Sequence, residues 1–312
     1  MTSSPTRLGC HLGALRCSMS ISTALDRIAD SGRLDAVIEP VRKTVNTVLR
    51  SGAVKDVLHG VWLGHPLHPA LAQVPLGAWM SAGLLDALPG NRKEADLLIA
   101  TGIAAAVPTA LAGAADWSEG EIGQQRVGAV HAVLNSASLV LYAGSLFARA
   151  RGSRARGRRL AYAALGLASS SAGIGGHLAY HQAAGASHAA TAARTLSHDW
   201  IDLGPLADLP DGQPVLRVSG DSDRPASLCV IRRGEMAHVL VDSCSHLGGP
   251  LHQGKLTDIG GNQCLVCPWH GGTFVLADGR AVRGPAVAAA TVLQTQVSDG
   301  RLQAKVPERH EV

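Results

Sequence analysis

Two short boxes, each supplying one Cys and one His, constrain this chain more than anything else in it. The first runs Cys244-Ser245-His246-Leu247-Gly248-Gly249 and the second Cys267-Pro268-Trp269-His270-Gly271-Gly272. A thiolate donates charge strongly to a metal and a neutral imidazole donates less. Two of each can serve a tetrahedral zinc, or a two-iron cluster in which one iron keeps both Cys and the other takes both His. Zinc fingers usually place the Cys pair on a hairpin and the His pair on a helix, whereas each box here mixes the two. Mixed boxes suit a cluster gripped by two facing loops. Gly248, Gly249, Gly271 and Gly272 would let backbone N–H groups come close to bridging sulfides.

Around the boxes the chain breaks into short apolar segments at 214–219, 226–232, 237–242, 263–266, 273–276, 291–297 and 301–306. Asp-Gly and Gly-Gly turns separate them, and Asp278-Gly279 is the clearest hairpin turn. This pattern predicts an antiparallel β-sandwich with the two boxes on loops at its tip.

The segment from about 205 to 306 resembles a Rieske [2Fe-2S] domain, in the form of Rieske-type ferredoxins and the ferredoxin-like domains of ring-hydroxylating oxygenases. Both boxes of that family, Cys-x-His and Cys-x2-His, are whole, and Gly284-Pro285-Ala286 resembles the proline loop that covers the cluster. The spacer from 247 to 266 is longer than the usual ferredoxin form, which lengthens a turn around Asp258-Ile259-Gly260-Gly261-Asn262. The resemblance implies that Cys244 and Cys267 hold the inner iron and His246 and His270 the outer one. Quinol-oxidising relatives carry an extra Cys in each loop and a Ser hydroxyl on a cluster sulfide. Gly249, Trp269 and Gly272 stand at the corresponding positions here. Fewer hydrogen bonds to sulfur leave more electron density on iron, so the resemblance implies a potential near the low end of the range, about −150 mV. Cys229 and Cys264 fit no motif and read as buried apolar thiols.

Upstream, the chain changes character. It is 46% hydrophobic but only 3% aromatic and 17% charged, with 36 glycines, so an apolar surplus must be concentrated somewhere. The net charge of +4 gives no reason to expect nucleic-acid binding. Apolar stretches at 66–88, 95–115, 127–148 and 160–180 supply the surplus. Each is near the ~20 residues that cross a bilayer core. They are rich in Ala, Gly and Ser, as helices packing closely in lipid tend to be. A soluble four-helix bundle would show polar faces that these stretches hardly have. Residues 60 to 185, with His65-Pro66-Leu67-His68-Pro69 at the entrance, also resemble a family of small bacterial four-helix membrane domains of undefined function.

The expected architecture is multi-domain: an all-α transmembrane four-helix bundle followed by an all-β Rieske-type antiparallel sandwich. Residues 1–59 read as a leader, with no secretory h-region, and a basic amphipathic helical segment interrupted at Gly32 and Pro40. Residues 60–185 form the bundle, 186–204 a small-residue linker in which His188 and His198 read as solvated, and 205–312 the cluster domain. The loops at 89–94 and 149–159 hold Arg92, Lys93, Arg149, Arg151, Arg154, Arg156, Arg158 and Arg159, against Asp116, Glu119, Glu121 and Arg126 on the other side. The positive-inside rule then makes this a multi-pass protein of the cell membrane with both termini outside.

Histidines collect at one end of the four spans: His65 and His68, His131, and His177 with His181, alongside Asp116-Trp117. Ionisable groups at membrane depth usually mark a site. One reading is haem b held by His131 and His177, another is a metal or quinone pocket, and the third is structural hydrogen bonding. The function expected from these features is one-electron transfer to or from a redox protein, by a lipid-anchored carrier that could relay through the bundle. The alternatives are an electron-supplying component of an oxygenase system and a redox sensor. A self-contained oxygenase is not expected, since it needs a mononuclear iron domain, whereas six residues follow the last apolar segment and the upstream part is membrane-like. Oligomeric state is not legible.

Overall fold

The computed structural model describes residues 21–50, 52–90, 92–190, 196, 198–218 and 225–307. The leader expected over residues 1 to 20 lies outside these. Among the described residues the first half is helical: α1 (Ile21–Ala29), α2 (Asp35–Val48), α3 (Gly52–His59), α4 (Leu67–Ala87), α5 (Arg92–Ser118), α6 (Ile122–Ala150) and α7 (Arg154–Tyr180). The chain breaks at Gly32, as expected, but runs through Pro40 without interruption. Pro40 sits in the second turn of α2, so the helix continues without the bond that residue 40 would otherwise donate to the Ala36 carbonyl.

The four apolar stretches all fall within α4 to α7. Small residues let these helices approach closely. Ser138 Oγ donates to the Ala164 carbonyl at 2.9 Å and Ser145 Oγ to the Gly157 carbonyl at 2.7 Å, tying α6 to α7. A Cβ at Gly102 would lie 2.2 Å from Trp79 Nε1, so α5 presents bare backbone to the indole of α4. That indole stacks on Tyr142 at 4.4 Å in the bundle core.

The expectation of four membrane spans is met only in part. Lys93–Ser118 and Ile122–Ala150 are long and apolar enough to cross a membrane, by length and composition. In α7, Arg154, Arg156, Arg158 and Arg159 crowd the first turns, and α4 carries His68, Gln73 and Asp86. Arg149 is not a loop charge. It lies in α6, with its side chain 1% exposed, ion-paired with Asp86 and bonded to Asp96 at 3.0 Å.

The second half is a β-sandwich built from β1 (Ile201–Pro205), β2 (Pro214–Val218), β3 (Ser227–Arg233), β4 (Met236–Val241), β5 (Lys255–Ile259), β6 (Asn262–Val266), β7 (Thr273–Val275), β8 (Ala281–Arg283), β9 (Val292–Ser298) and β10 (Arg301–Lys305). A six-stranded sheet has the order β1-β10-β9-β4-β3-β2, a four-stranded sheet the order β5-β6-β7-β8, and the paired strands are antiparallel. β3 is buried on both faces. Leu228 and Val230 enter one core with Val239 and Leu302, while Cys229 and Ile231 enter another with Leu265 and Phe274 from the smaller sheet. That double burial explains why β3 reads as a continuous apolar run. Cys229 and Cys264 are fully buried free thiols, as expected. β1 lies inside the stretch read as a linker, because Leu196 and Leu203 supply core side chains.

Candidate metal centre

Both boxes sit on loops that leave the sheets at one tip. The first follows β4, and the second closes the hairpin between β6 and β7. The two loops repeat one backbone pattern. Cys244 N–H donates to the Gly249 carbonyl at 2.9 Å and Gly248 N–H back to the Cys244 carbonyl at 2.8 Å. Cys267 N–H donates to the Gly272 carbonyl at 2.8 Å and Gly271 N–H to the Cys267 carbonyl at 3.2 Å. Gly248 and Gly271 take φ of 74° and 75°, the left-handed conformation that closes such turns and that other residues resist. A Cβ at Gly249 would sit 3.0 Å from Cys267 Sγ, so this glycine is needed for the loops to meet.

The loops bring the four expected residues together. Cys244 and Cys267 are 2% and 3% exposed, and their sulfurs hydrogen-bond each other. Sharing that proton pushes the Cys244 thiol up and holds Cys267 down. The His246 and His270 rings lie edge to face with centroids 4.9 Å apart. Burial pushes His246 down to about 3, helped by the nearby charges of His270, His59 and His188. His246 Nδ1 is buried and has no hydrogen-bond partner. Two sulfurs, a neutral imidazole with an orphaned nitrogen and a second ring beside it are donors that fit a group held by two S and two N ligands.

Ser245 Oγ donates to the Ala288 carbonyl at 2.7 Å, fixing the first loop against the segment after β8. Asp242, just before the first box, accepts from His252 N–H at 2.7 Å and pairs with its Nδ1 at 2.5 Å. The fully buried Ala286 of the proline segment packs where a Cβ on Gly272 would come within 2.9 Å. Trp269 stands outside, 55% exposed, at 6.4 Å from the His270 ring.

The helical half closes on the same tip. Asp56 Oδ1 accepts from Gly284 N–H at 2.8 Å, and a Cβ at Gly284 would meet His59 Cδ2 at 2.7 Å. His59 is 2% exposed and bonds Asp116 through Nδ1 at 2.7 Å. His188 donates its N–H to the Ser245 carbonyl at 3.0 Å, and its Nε2 is buried. His188 is therefore packed against the first box, contrary to the solvated reading, while His198 is exposed. Sequence reasoning missed His59 and Asp56, whose only local signal is a charged turn before Gly60.

The bundle histidines make separate sets. His131 Nδ1–H donates to the Ser171 carbonyl at 2.8 Å, and its Nε2 accepts from Asn135 at 3.0 Å. His68 Nδ1–H donates to the Thr109 carbonyl at 2.9 Å, and its ring stands 6.2 Å from that of His131. His177 instead stacks on His181 at 4.5 Å, and His65 is exposed. With both nitrogens of His131 engaged and His177 in another cluster, nothing supports the reading of a haem held between them.

Residues 199–298 match the family model described as Rieske [2Fe-2S] domain, and residues 64–192 match that described as Predicted membrane protein (DUF2231). The chain thus joins a Rieske domain to a domain of that membrane-protein type. A human Rieske domain-containing protein is 44% identical over 45 residues, which is 14% of this chain and 29% of that protein. The 3-phenylpropionate/cinnamic acid dioxygenase ferredoxin subunit of Escherichia coli (strain K12) is 29% identical over 104 residues, covering 33% of this chain and 91% of the subunit. Among solved structures, the ferredoxin of Sphingomonas yanoikuyae B1 is similar at 26% identity, with 35% of this chain and 100% of that chain covered and a TM-score of 0.30.

Proposed function

We propose that this chain is a membrane-anchored one-electron carrier, in which Cys244 and Cys267 hold one iron of a [2Fe-2S] cluster and His246 and His270 hold the other. The observation that carries this is the convergence of two buried sulfurs and two imidazoles between matched loops, with one ring nitrogen left without a partner. When bound, such a cluster takes up and releases a single electron at low potential. The chain's own residues do the rest. The loop backbones hold the sulfurs together, Ala286 and Leu251 keep water from them, and burial keeps His246 neutral and ready to donate.

The two imidazoles are not equivalent. His246 lies on the side covered by His59 and His188, whereas His270 adjoins the exposed Trp269. Electron exchange with a protein partner therefore belongs at the His270 and Trp269 side. The names of the ferredoxin relatives support a terminal oxygenase as one class of partner.

Anchoring rests on α5 and α6 and on the large apolar side chains that the helices turn outward, among them Leu84, Leu97, Val107, Val133 and Val140. Loop charge favours placing the Rieske domain outside the cytoplasm. The decisive measurement is iron, acid-labile sulfide and zinc content together with the dithionite-reduced EPR spectrum of detergent-purified protein. Two irons, two sulfides and a reduced signal averaging below g = 2 are expected. Zinc without sulfide overturns the carrier.

A further inference from the structure

A second group of metal-ligand type lies away from the Rieske loops. Asp26 on α1 faces His177 and His181, which stand one turn apart near the end of α7. Asp26 Oδ1 is 3.0 Å from His181 Nε2 and 3.6 Å from His177 Nε2, and the two rings stack at 4.5 Å with an interplanar angle of 26°. All three donor atoms lie within 4.8 Å of one another.

His177 is what sets this group apart from a surface ion pair. Its side chain is 7% exposed, yet its Nε2 has no hydrogen-bond partner and points at a carboxylate too far away to accept from it. A buried ring nitrogen left unpaired is costly, and protein folds rarely leave one so without reason. A cation between the three would satisfy it.

We propose that Asp26, His177 and His181 bind a divalent first-row transition cation of the Zn2+ class. Donor atoms around tetrahedral zinc, at bond lengths near 2.0–2.1 Å, stand about 3.4 Å apart, so the group needs only small side-chain shifts to close. Two imidazoles and one carboxylate suit such a cation better than Ca2+ or Mg2+, which prefer all-oxygen ligands. His181 is 55% exposed, which leaves room for water in the remaining position and a path for entry. The bound cation staples α1 to the last turn of α7, the point from which the chain leaves toward the Rieske domain. It adds to the patch in which Leu25 and Ile28 of α1 pack with Val127, Val130, Ile174 and Leu178.

The test is titration of tag-free, detergent-purified full-length protein with Zn2+ after mild chelation that leaves the visible iron-sulfur spectrum intact. Wild-type protein should bind one Zn2+ per chain and gain thermal stability. H181A, at an exposed position, and D26N should each weaken binding at least tenfold and abolish the gain, with unchanged far-ultraviolet circular dichroism reporting an intact helical half. H68A, outside the group, should behave as wild type. Equal Zn2+ binding by wild type, H181A and D26N, or no saturable binding by wild type, overturns the site.

Discussion

Gly249 shows how narrowly the centre is specified. A Cβ there would press on Cys267 Sγ and on Trp269 Cγ and Cδ2, all within 3.1 Å. The sulfur on one side and the indole on the other would have to give way. Gly249→Ala should lower cluster occupancy several-fold and destabilise the domain by about 1–3 kcal/mol, read from the visible absorption per protein and the melting temperature. Cys244→Ser and Cys267→Ser should each abolish the reduced EPR signal, because a hydroxyl does not replace a thiolate on iron. The four candidate ligands were legible because their chemistry and spacing are local. His59 was not: its importance comes from Asp116 and Gly284, 57 and more residues away, and no periodicity points to it.

Among the elements, the helices and the strands with an apolar pattern were readable, and three strands without one were not. Ile201–Pro205 hides behind a Gly-Pro pair, Lys255–Ile259 is largely exposed, and Ala281–Arg283 is three residues long. Each becomes a strand because a neighbour offers its edge, which is tertiary information. The first is pinned by Asp202, whose carboxylate takes three bonds from Arg301 and one from Gly204 N–H. The Arg301 bond holds its carboxyl below the ordinary value of 3.8. A depressed folded-state value means that this contribution is full above the ordinary value and is lost as pH falls through the lower one. Melting temperature should therefore drop in strong acid, and Asp202→Asn should flatten that part of the profile. In the helical half, Gly102→Ala would drive a methyl into the Trp79 ring. The cost should be about 1–3 kcal/mol, measured by thermal denaturation in detergent, with the iron-sulfur spectrum unaffected.

For the molecule as a whole, the contact between its halves was the least legible feature, since it joins Asp56 to Gly284 across 228 residues. Asp56→Ala removes the acceptor for Gly284 N–H. Hydrogen exchange at that amide should quicken at least tenfold, while amides of Leu228 and Val230 in the sandwich core keep wild-type rates. Membrane attachment predicts that carbonate washing leaves the chain in the pellet and that detergent releases it; release by carbonate alone would remove the anchor.

The exposed Trp269 beside His270 bears on traffic. If the proposed carrier exchanges electrons only beside the exposed Trp269, whatever delivers an electron and whatever collects it share one doorway. Donor and acceptor then queue rather than dock together, so turnover should follow ping-pong kinetics, and an excess of either partner should slow the other.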